Sequence, residues 1–341
     1  MTVSRSDFRL KLLGAEDREE WDSFVKTAPG GSVFHTSSYF LTVSKIFGHE
    51  IVVPVVLNKD RILGGTVLYT RKRFYLNYTT IPFYIPINHI LLGEHPQDRN
   101  YMRQIKIEQQ ICNLLQVYIR QNYQFATLSA SSSLRDLRTF VHGGWKFVPD
   151  YTISIPLETG KEPMDRMSHN QRRHIRKFEE QPCGFGPYSD YRVCYNLIRQ
   201  SYSVDGLNPP IPENDFVQLV SELNSRQIIR GYAVSIDHEP LSVMIVVEDC
   251  PVVYALFSGR DTAHSRPEAE LYLHWRVMSH YRDQGFKEFN LLGAMSPAIS
   301  TVKLELGGIL QHGNKIFYYR NAFYQFLFQL EIIRKRRKRM R

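Results

Sequence analysis

Between Met164 and Pro182 the chain reads MDRMSHNQRRHIRKFEEQP. Arg172, Arg173, Arg176 and Lys177 place four permanent positive charges within six residues, with His169 close by. Guanidinium forks match the geometry of a carboxylate or a diphosphate, so this stretch offers anion binding. At 100° per residue, Met167, Gln171, Ile175 and Phe178 fall on the opposite side, which predicts an amphipathic helix with one buried face. A solvated helix face is the alternative reading of the same charges. Asp261 and Glu270 flank the junction between the strands and the next helix, within the stretch GRDTAHSRPEAE, and Tyr254 stands in the strand-like run VVYALFSGRD. A carboxylate or a phenol there has the chemistry for general acid-base work. An acid near a helix start also serves as a dipole partner, and an inward tyrosine as core. Cys112, Cys183, Cys194 and Cys250 lack CxxC spacing and no histidines cluster at ligand spacing. Free thiols in a reducing compartment, and no metal, are therefore expected.

A chain of 341 residues has room for two domains, and 43% hydrophobic content with 13% aromatics fills real cores and excludes global disorder. The net charge is +9, yet RKRRKRMR at 334–341 holds seven of the basic groups, leaving +2 for the rest. That distribution excludes a domain-wide positive field of the kind a nucleic-acid-binding body presents. The first residues, MTVSRSDFRLKLL, have no apolar core of a signal peptide. IPFYIPINHILLG is too short and too broken by Pro, Asn and His to span a bilayer. The expected location is cytoplasmic, with peripheral attachment to the inner membrane face as an option.

The elements follow from periodicity. Helices are predicted over 16–27 and 37–47, then a hairpin from IVVPVVL and ILGGTVLYT, a long helix over 99–121 and a strand FATLSA. The aromatic, Pro-containing stretch 74–92 lines a cleft or packs as a loop on the core. The second half repeats the order: helices 191–202 and 213–224, then IIRGYAVSI, LSVMIVVE and VVYALFSG as a meander, a helix over 267–284 opened by the capping box Ser265 to Glu268, and the strand FNLLG. This repeat, offset by about 165 residues, predicts an α/β protein of two similar domains: 1–160 and 183–320, joined by a linker helix at 161–182 and followed by a tail at 321–341.

In that tail, Phe323, Phe326, Leu327, Leu330 and Ile333 keep helical spacing ahead of the basic run. Three readings stay open: a helix docked on the core with a frayed soluble end, a membrane-surface anchor, or an RNA contact.

Taken in order, EEWDSFVKTAPGGSVFHTSSYF, LRTFVHGGWKFVPDYTISIPL, NQRRHIRKFEE, GFKEFNLLG and VKLELGG resemble the FemAB-like acyltransferases, tandem domains of the Gcn5-related N-acetyltransferase (GNAT) fold. The resemblance implies two mixed, mostly antiparallel sheets flanked by helices. It implies transfer of an acyl group from acyl-CoA, or an aminoacyl group from aminoacyl-tRNA, to an amine on a peptidoglycan-type precursor, a peptide or an amino sugar. In that fold a splayed strand receives the donor's amide-bearing arm, which puts Ser258 and Gly259 of VVYALFSGRD near the reacting carbonyl. His35 and Tyr39 of SVFHTSSYF would face the acceptor, Lys45 would match a phosphate-binding lysine, and Lys303 belongs to the VKLELGG strand. Arg172 and Arg176 occupy the regular positions of the family's basic helix.

Two departures stand out. The glycines of a CoA-type pyrophosphate loop are missing from GRDTAHSRPEAE, and Asn290 replaces an acid in FNLLG, which points it to structural hydrogen bonding. With no Ser-His-Asp or Cys-His signature, direct attack by the amine is expected, without a covalent enzyme intermediate. The sequence therefore favours an acyl-CoA-dependent N-acyltransferase of envelope or polysaccharide precursors. An aminoacyl-tRNA-dependent transferase is the alternative, and a non-catalytic docking module acting through the tail is a third.

Overall fold

The computed structural model describes residues 8–73, 75–93, 100–263, 267–294 and 296–339, with side chains up to residue 330. In chain order the elements are β1 (Phe8–Leu12), α1 (Arg18–Thr27), α2 (Ser37–Phe47), β2 (Glu50–Val52), β3 (Pro54–Asn58), β4 (Arg61–Gly65), β5 (Leu68–Arg73), β6 (Leu76–Thr80), β7 (Leu91–Leu92), α3 (Tyr101–Asn122), β8 (Phe125–Ala130), α4 (Arg138–His142) and β9 (Lys146–Pro156). Then come α5 (His169–Glu179), β10 (Cys183–Pro187), α6 (Tyr191–Val204), α7 (Glu213–Ser225), β11 (Ile229–Ile236), β12 (Glu239–Asp249), β13 (Val252–Arg260), α8 (Pro267–Asp283), β14 (Glu288–Gly293), α9 (Pro297–Glu305), β15 (Ile309–Tyr319) and α10 (Ala322–Arg339). The chain divides into two compact units, residues 1–150 with 312–332, and residues 151–311 with 333–341.

In the first unit β1-β3-β4-β7 form one sheet, and β15, β8, β6, β5 and β2 are consecutive neighbours in another. All pairs are antiparallel except β6 with β8, which run parallel. The hairpin expected from IVVPVVL and ILGGTVLYT is only partly present. β3 and β4 make it, while β2 and β5, cut from the same two runs, pair with each other in the second sheet. Pro54 has no N–H to donate, so the ladder breaks between β2 and β3. On α3, Ile111, Cys112, Leu115 and Ile119 share the buried face that packs with Ala126 and Leu128 of β8. Each fully buried aliphatic chain there contributes about 1.5–3 kcal/mol.

In the second unit the strand order is β10-β11-β12-β13-β14-β9, again antiparallel except for β13 with β14. Its core holds Ile175 and Phe178 of α5, Val253 and Phe289 of the sheet, and Leu273, Val277, Met278 and Tyr281 of α8. Gly285, at φ +87°, lies two residues beyond the end of α8, as its position in the sequence predicts. Ser265, in the expected capping box, lies outside the described residues.

Three expectations change. The helix expected to link the domains is α5, with Ser168 capping the Gln171 N–H, and its apolar face belongs to the core of the second unit. Residues 312–320, expected in the second domain, belong to the first unit. VKLELGG, expected as a strand, forms the end of α9: Pro297 opens the helix, and Gly307, at φ +90°, follows its last turn. The two glycines sit where side chains would collide, Gly307 with Arg166 and Gly308 with Ile153. The stretch 75–92 is core packing, with Tyr84, Ile85, Ile87 and Ile90 buried.

Candidate active site

The parallel pair β13–β14 is short. Val252, Val253 and Tyr254 pair with Glu288, Phe289 and Asn290, and no further β13–β14 pair occurs among the described residues. Beyond that point β13 continues beside β12 as far as Ser242–Arg260, and β14 reaches Gly293 beside Thr152 of β9. Register shifts on the far sides of both strands accompany the divergence, between Ile245 and Val246 on β12 and between Asn290 and Gly293 on β14. A bulge bends a strand and increases its twist, so two bulged neighbours part. The Asn290 side-chain oxygen accepts the Leu292 N–H at 2.8 Å and steadies Leu292 at φ 56°. This is the structural role expected of Asn290.

Along β13 past the divergence, Ser258 and Arg260 share one face and Gly259 has the other. Ser258 Oγ donates to Glu270 Oε1 at 3.4 Å, and Arg260 Nε lies 3.4 Å from Glu270 Oε2. Glu270 stands in the first turn of α8, where a negative charge also suits the helix dipole. One turn on, His274 Nδ1 lies 2.8 Å from the Glu270 carbonyl oxygen. A carbonyl only accepts, so Nδ1 carries the proton and Nε2 keeps the lone pair. Burial lowers the His274 pKa, the Glu270 charge and carbonyl raise it, and the Lys303 charge lowers it further; the net shift is downward. His274 is therefore predominantly neutral at pH 7, with Nε2 as its basic nitrogen. The sequence reading missed it; the signal available was a histidine four residues after Glu270 on the same helix face.

At the end of β14, Lys303 Nζ donates to the carbonyls of Leu291 at 2.6 Å, Leu292 at 3.3 Å and Gly293 at 2.7 Å. Burial pushes its amine down to about 8, while the three carbonyls favour the ammonium form. Lys303 thus ties α9 to the diverging end of β14. The structure brings Ser258, Glu270 and Lys303 of the expected residues to this region and adds Arg260 and His274.

The other expected residues have different surroundings. Tyr254 sits at the last position of β13 paired with β14, buried, and burial raises its phenol pKa. The Asp261 carboxylate accepts the Ala263 N–H at 2.8 Å and shapes the turn after β13. At Gly259 α6 packs directly on one face of β13, so that a Cβ there would lie 2.4 Å from the Ile198 nitrogen. Arg172 donates to the carbonyls of Met167 at 2.9 Å and Asp165 at 3.4 Å, whereas Arg176 is exposed on the same helix. α5 packs on α8, and His174 Nδ1 lies 3.4 Å from Glu268 in the first turn of α8. Replacing Arg172 by Ala should cost about 1 kcal/mol of stability through the lost carbonyl bonds. Arg176→Ala should leave the melting temperature unchanged, so any ligand role of the basic face reads out cleanly in that variant.

His35, Tyr39 and Lys45 lie in the first unit. His35 is fully buried: Nε2 accepts the His89 N–H at 2.9 Å and Nδ1 pairs with Ser32 Oγ at 2.9 Å, and burial pushes its pKa down to about 3. The Tyr39 hydroxyl donates to the Tyr84 carbonyl at 2.9 Å. These two are interior scaffolding and do not face an acceptor; Lys45 is exposed in the last turn of α2. The parallel pair of this unit also parts, after the single match Tyr78–Phe125, but the chain itself closes the opening. Ile90 donates to the Ser129 carbonyl at 3.0 Å, and Ser129 Oγ donates to the Asn88 carbonyl at 2.7 Å. The divergence in the second unit is thus the one with a side-chain cluster at its mouth.

Residues 165–297, which contain this divergence and α8, match the family model described as an acetyltransferase (GNAT) domain. Residues 165–297 thus form a GNAT domain. FemX superposes on the chain with a TM-score of 0.68 at 12% identity, covering 94% of this chain and 99% of that one. A tandem GNAT protein of the clavulanic acid biosynthesis pathway gives 0.55 at 9% identity, covering 92% and 99%. The C-terminal domain of an Agrobacterium fabrum protein assigned as a lysylphosphatidylglycerol synthetase gives 0.53 at 11%, covering 90% and 93%. These likenesses carry the tandem GNAT fold over nearly the full length. No curated protein matches the chain in sequence.

Proposed function

We propose that the second unit transfers an acyl group from acyl-CoA to an amine of a cell-envelope or polysaccharide precursor, an amino sugar or a peptide. The observation that carries this reading is the parting of β13 from β14 beside Glu270 and His274, within a GNAT domain. Main-chain groups left without a strand partner suit the amide-rich arm of an acyl donor, which binds as a short added strand. The amine arrives mostly as an ammonium ion and must lose a proton before it attacks; His274 Nε2 accepts that proton. The nitrogen then bonds to the thioester carbon, and a main-chain N–H of β13 steadies the oxyanion. Collapse breaks the C–S bond; the nitrogen sheds its remaining extra proton and the departing CoA thiolate takes one up, leaving a neutral amide and the CoA thiol. Glu270, held by Arg260 and Ser258, positions the first turns of α8. Arg172 and Arg176 on α5 offer charge to donor or acceptor phosphates. The envelope acceptor class draws support from the Agrobacterium protein, whose assigned product is a lipid.

Thermal shift tests the donor directly. Acetyl-CoA or a longer acyl-CoA at a hundred times its dissociation constant should add about 2.7 kcal/mol of stability. A shift with charged tRNA and none with any CoA would transfer the reading to the aminoacyl-tRNA alternative. No shift with either would overturn it.

A further inference from the structure

We propose that α10 docks this protein on an anionic lipid surface. The start of α10 is fixed to the first unit: Phe328 packs on Phe125 at 5.0 Å, Tyr319 at 5.7 Å and Phe317 at 6.0 Å, and Lys146 donates to Gln325 at 2.8 Å. With that side held, Phe323, Phe326 and Leu330 fall on another face, at the 0, 3, 7 spacing of a single stripe. They are exposed to 61%, 55% and 45%. Isolated exposed apolar residues are ordinary, but these three line one face of a helix whose sequence runs on into RKRRKRMR. Seven of the nine excess positive charges of the protein lie in those last eight residues.

An apolar stripe followed by a polybasic run supplies the two signals that stable interfacial binding needs, burial at the acyl boundary and attraction to anionic headgroups. A nucleic acid would use the basic run and leave the Phe and Leu side chains in water. A protein partner covering the stripe has no need of seven charges. Among the described residues no helix is long and apolar enough to cross a membrane, so α10 would lie along the surface.

The full chain should co-sediment with vesicles containing about one-third phosphatidylglycerol and not with pure phosphatidylcholine, and added salt should weaken binding. Phe323→Ser/Phe326→Ser/Leu330→Ser should lower the partition coefficient at least about tenfold, with circular dichroism and melting unchanged because the three side chains are exposed. Neutralising Arg334, Lys335, Arg336 and Arg337 with Gln should lower it on the order of 600-fold, since each basic residue near the surface contributes about fivefold. No binding to anionic vesicles would overturn the proposal. So would binding indifferent to both sets of substitutions, or binding to bulk tRNA that survives the apolar substitutions while vesicles are ignored.

Discussion

His274→Ala should lower kcat about 10²- to 10⁴-fold, the range a positioned general base contributes. Nδ1 is committed to the Glu270 carbonyl, so Nε2 is the nitrogen able to take a proton, and burial keeps the ring neutral at pH 7. The sign of the pH dependence follows. A base works only when unprotonated, so kcat/KM should be flat near neutrality and fall as pH drops through a pKa below the usual 6.5. Removing a nearby negative charge disfavours the imidazolium, so Glu270→Gln should move that acid limb to still lower pH. A purely structural histidine would give a variant with altered melting and an unchanged acid limb. An alanine variant that keeps most of its activity and the wild-type profile would end the assignment; added imidazole restoring turnover would support it.

Gly259→Ala should destabilise the second unit by about 1–3 kcal/mol, the cost of forcing an extra carbon into a packed site. The new Cβ would meet backbone, lying 2.4 Å from the Ile198 nitrogen, 2.5 Å from its Cα and 2.6 Å from the Leu197 carbonyl carbon. No rotamer change relieves a backbone contact, so either β13 or α6 must shift. Gly293→Ala, at a glycine with open space around it, is the control and should be close to neutral. Urea denaturation followed by tryptophan fluorescence measures both. If Gly259→Ala melts like the wild type and loses acyl-CoA affinity instead, Gly259 serves the donor and the packing account fails.

Both predictions depend on burial and packing that local sequence does not encode. Periodicity and turn chemistry are properties of a few neighbouring residues, so α2, β8, α6, α7 and α8 could be read from the chain within a few residues. The two-domain α/β plan was legible for the same reason, because the order of elements repeats. VKLELGG shows the limit. Its alternation suits a strand, but Pro297 and Gly307 frame a helix, and the capping positions outweigh β-propensity. The site divides in the same way. Glu270 and Ser258 could be named from their positions beside a strand and a helix start.

The sequence by itself determined the α/β class, much of the element order, the basic helix and the charged tail, since each follows from composition and short-range spacing. Tertiary structure decided which residues meet. It buried His35 and Tyr39, closed the backbone of Gly259 under α6 and turned Arg172 toward carbonyls. It also paired the carboxylate one turn before His274 with Ser258 and Arg260. The physical reason is that strand divergence, helix packing and the burial that shifts a histidine pKa arise from residues far apart in the chain. No local pattern specifies such contacts until the sheet and α8 are assembled.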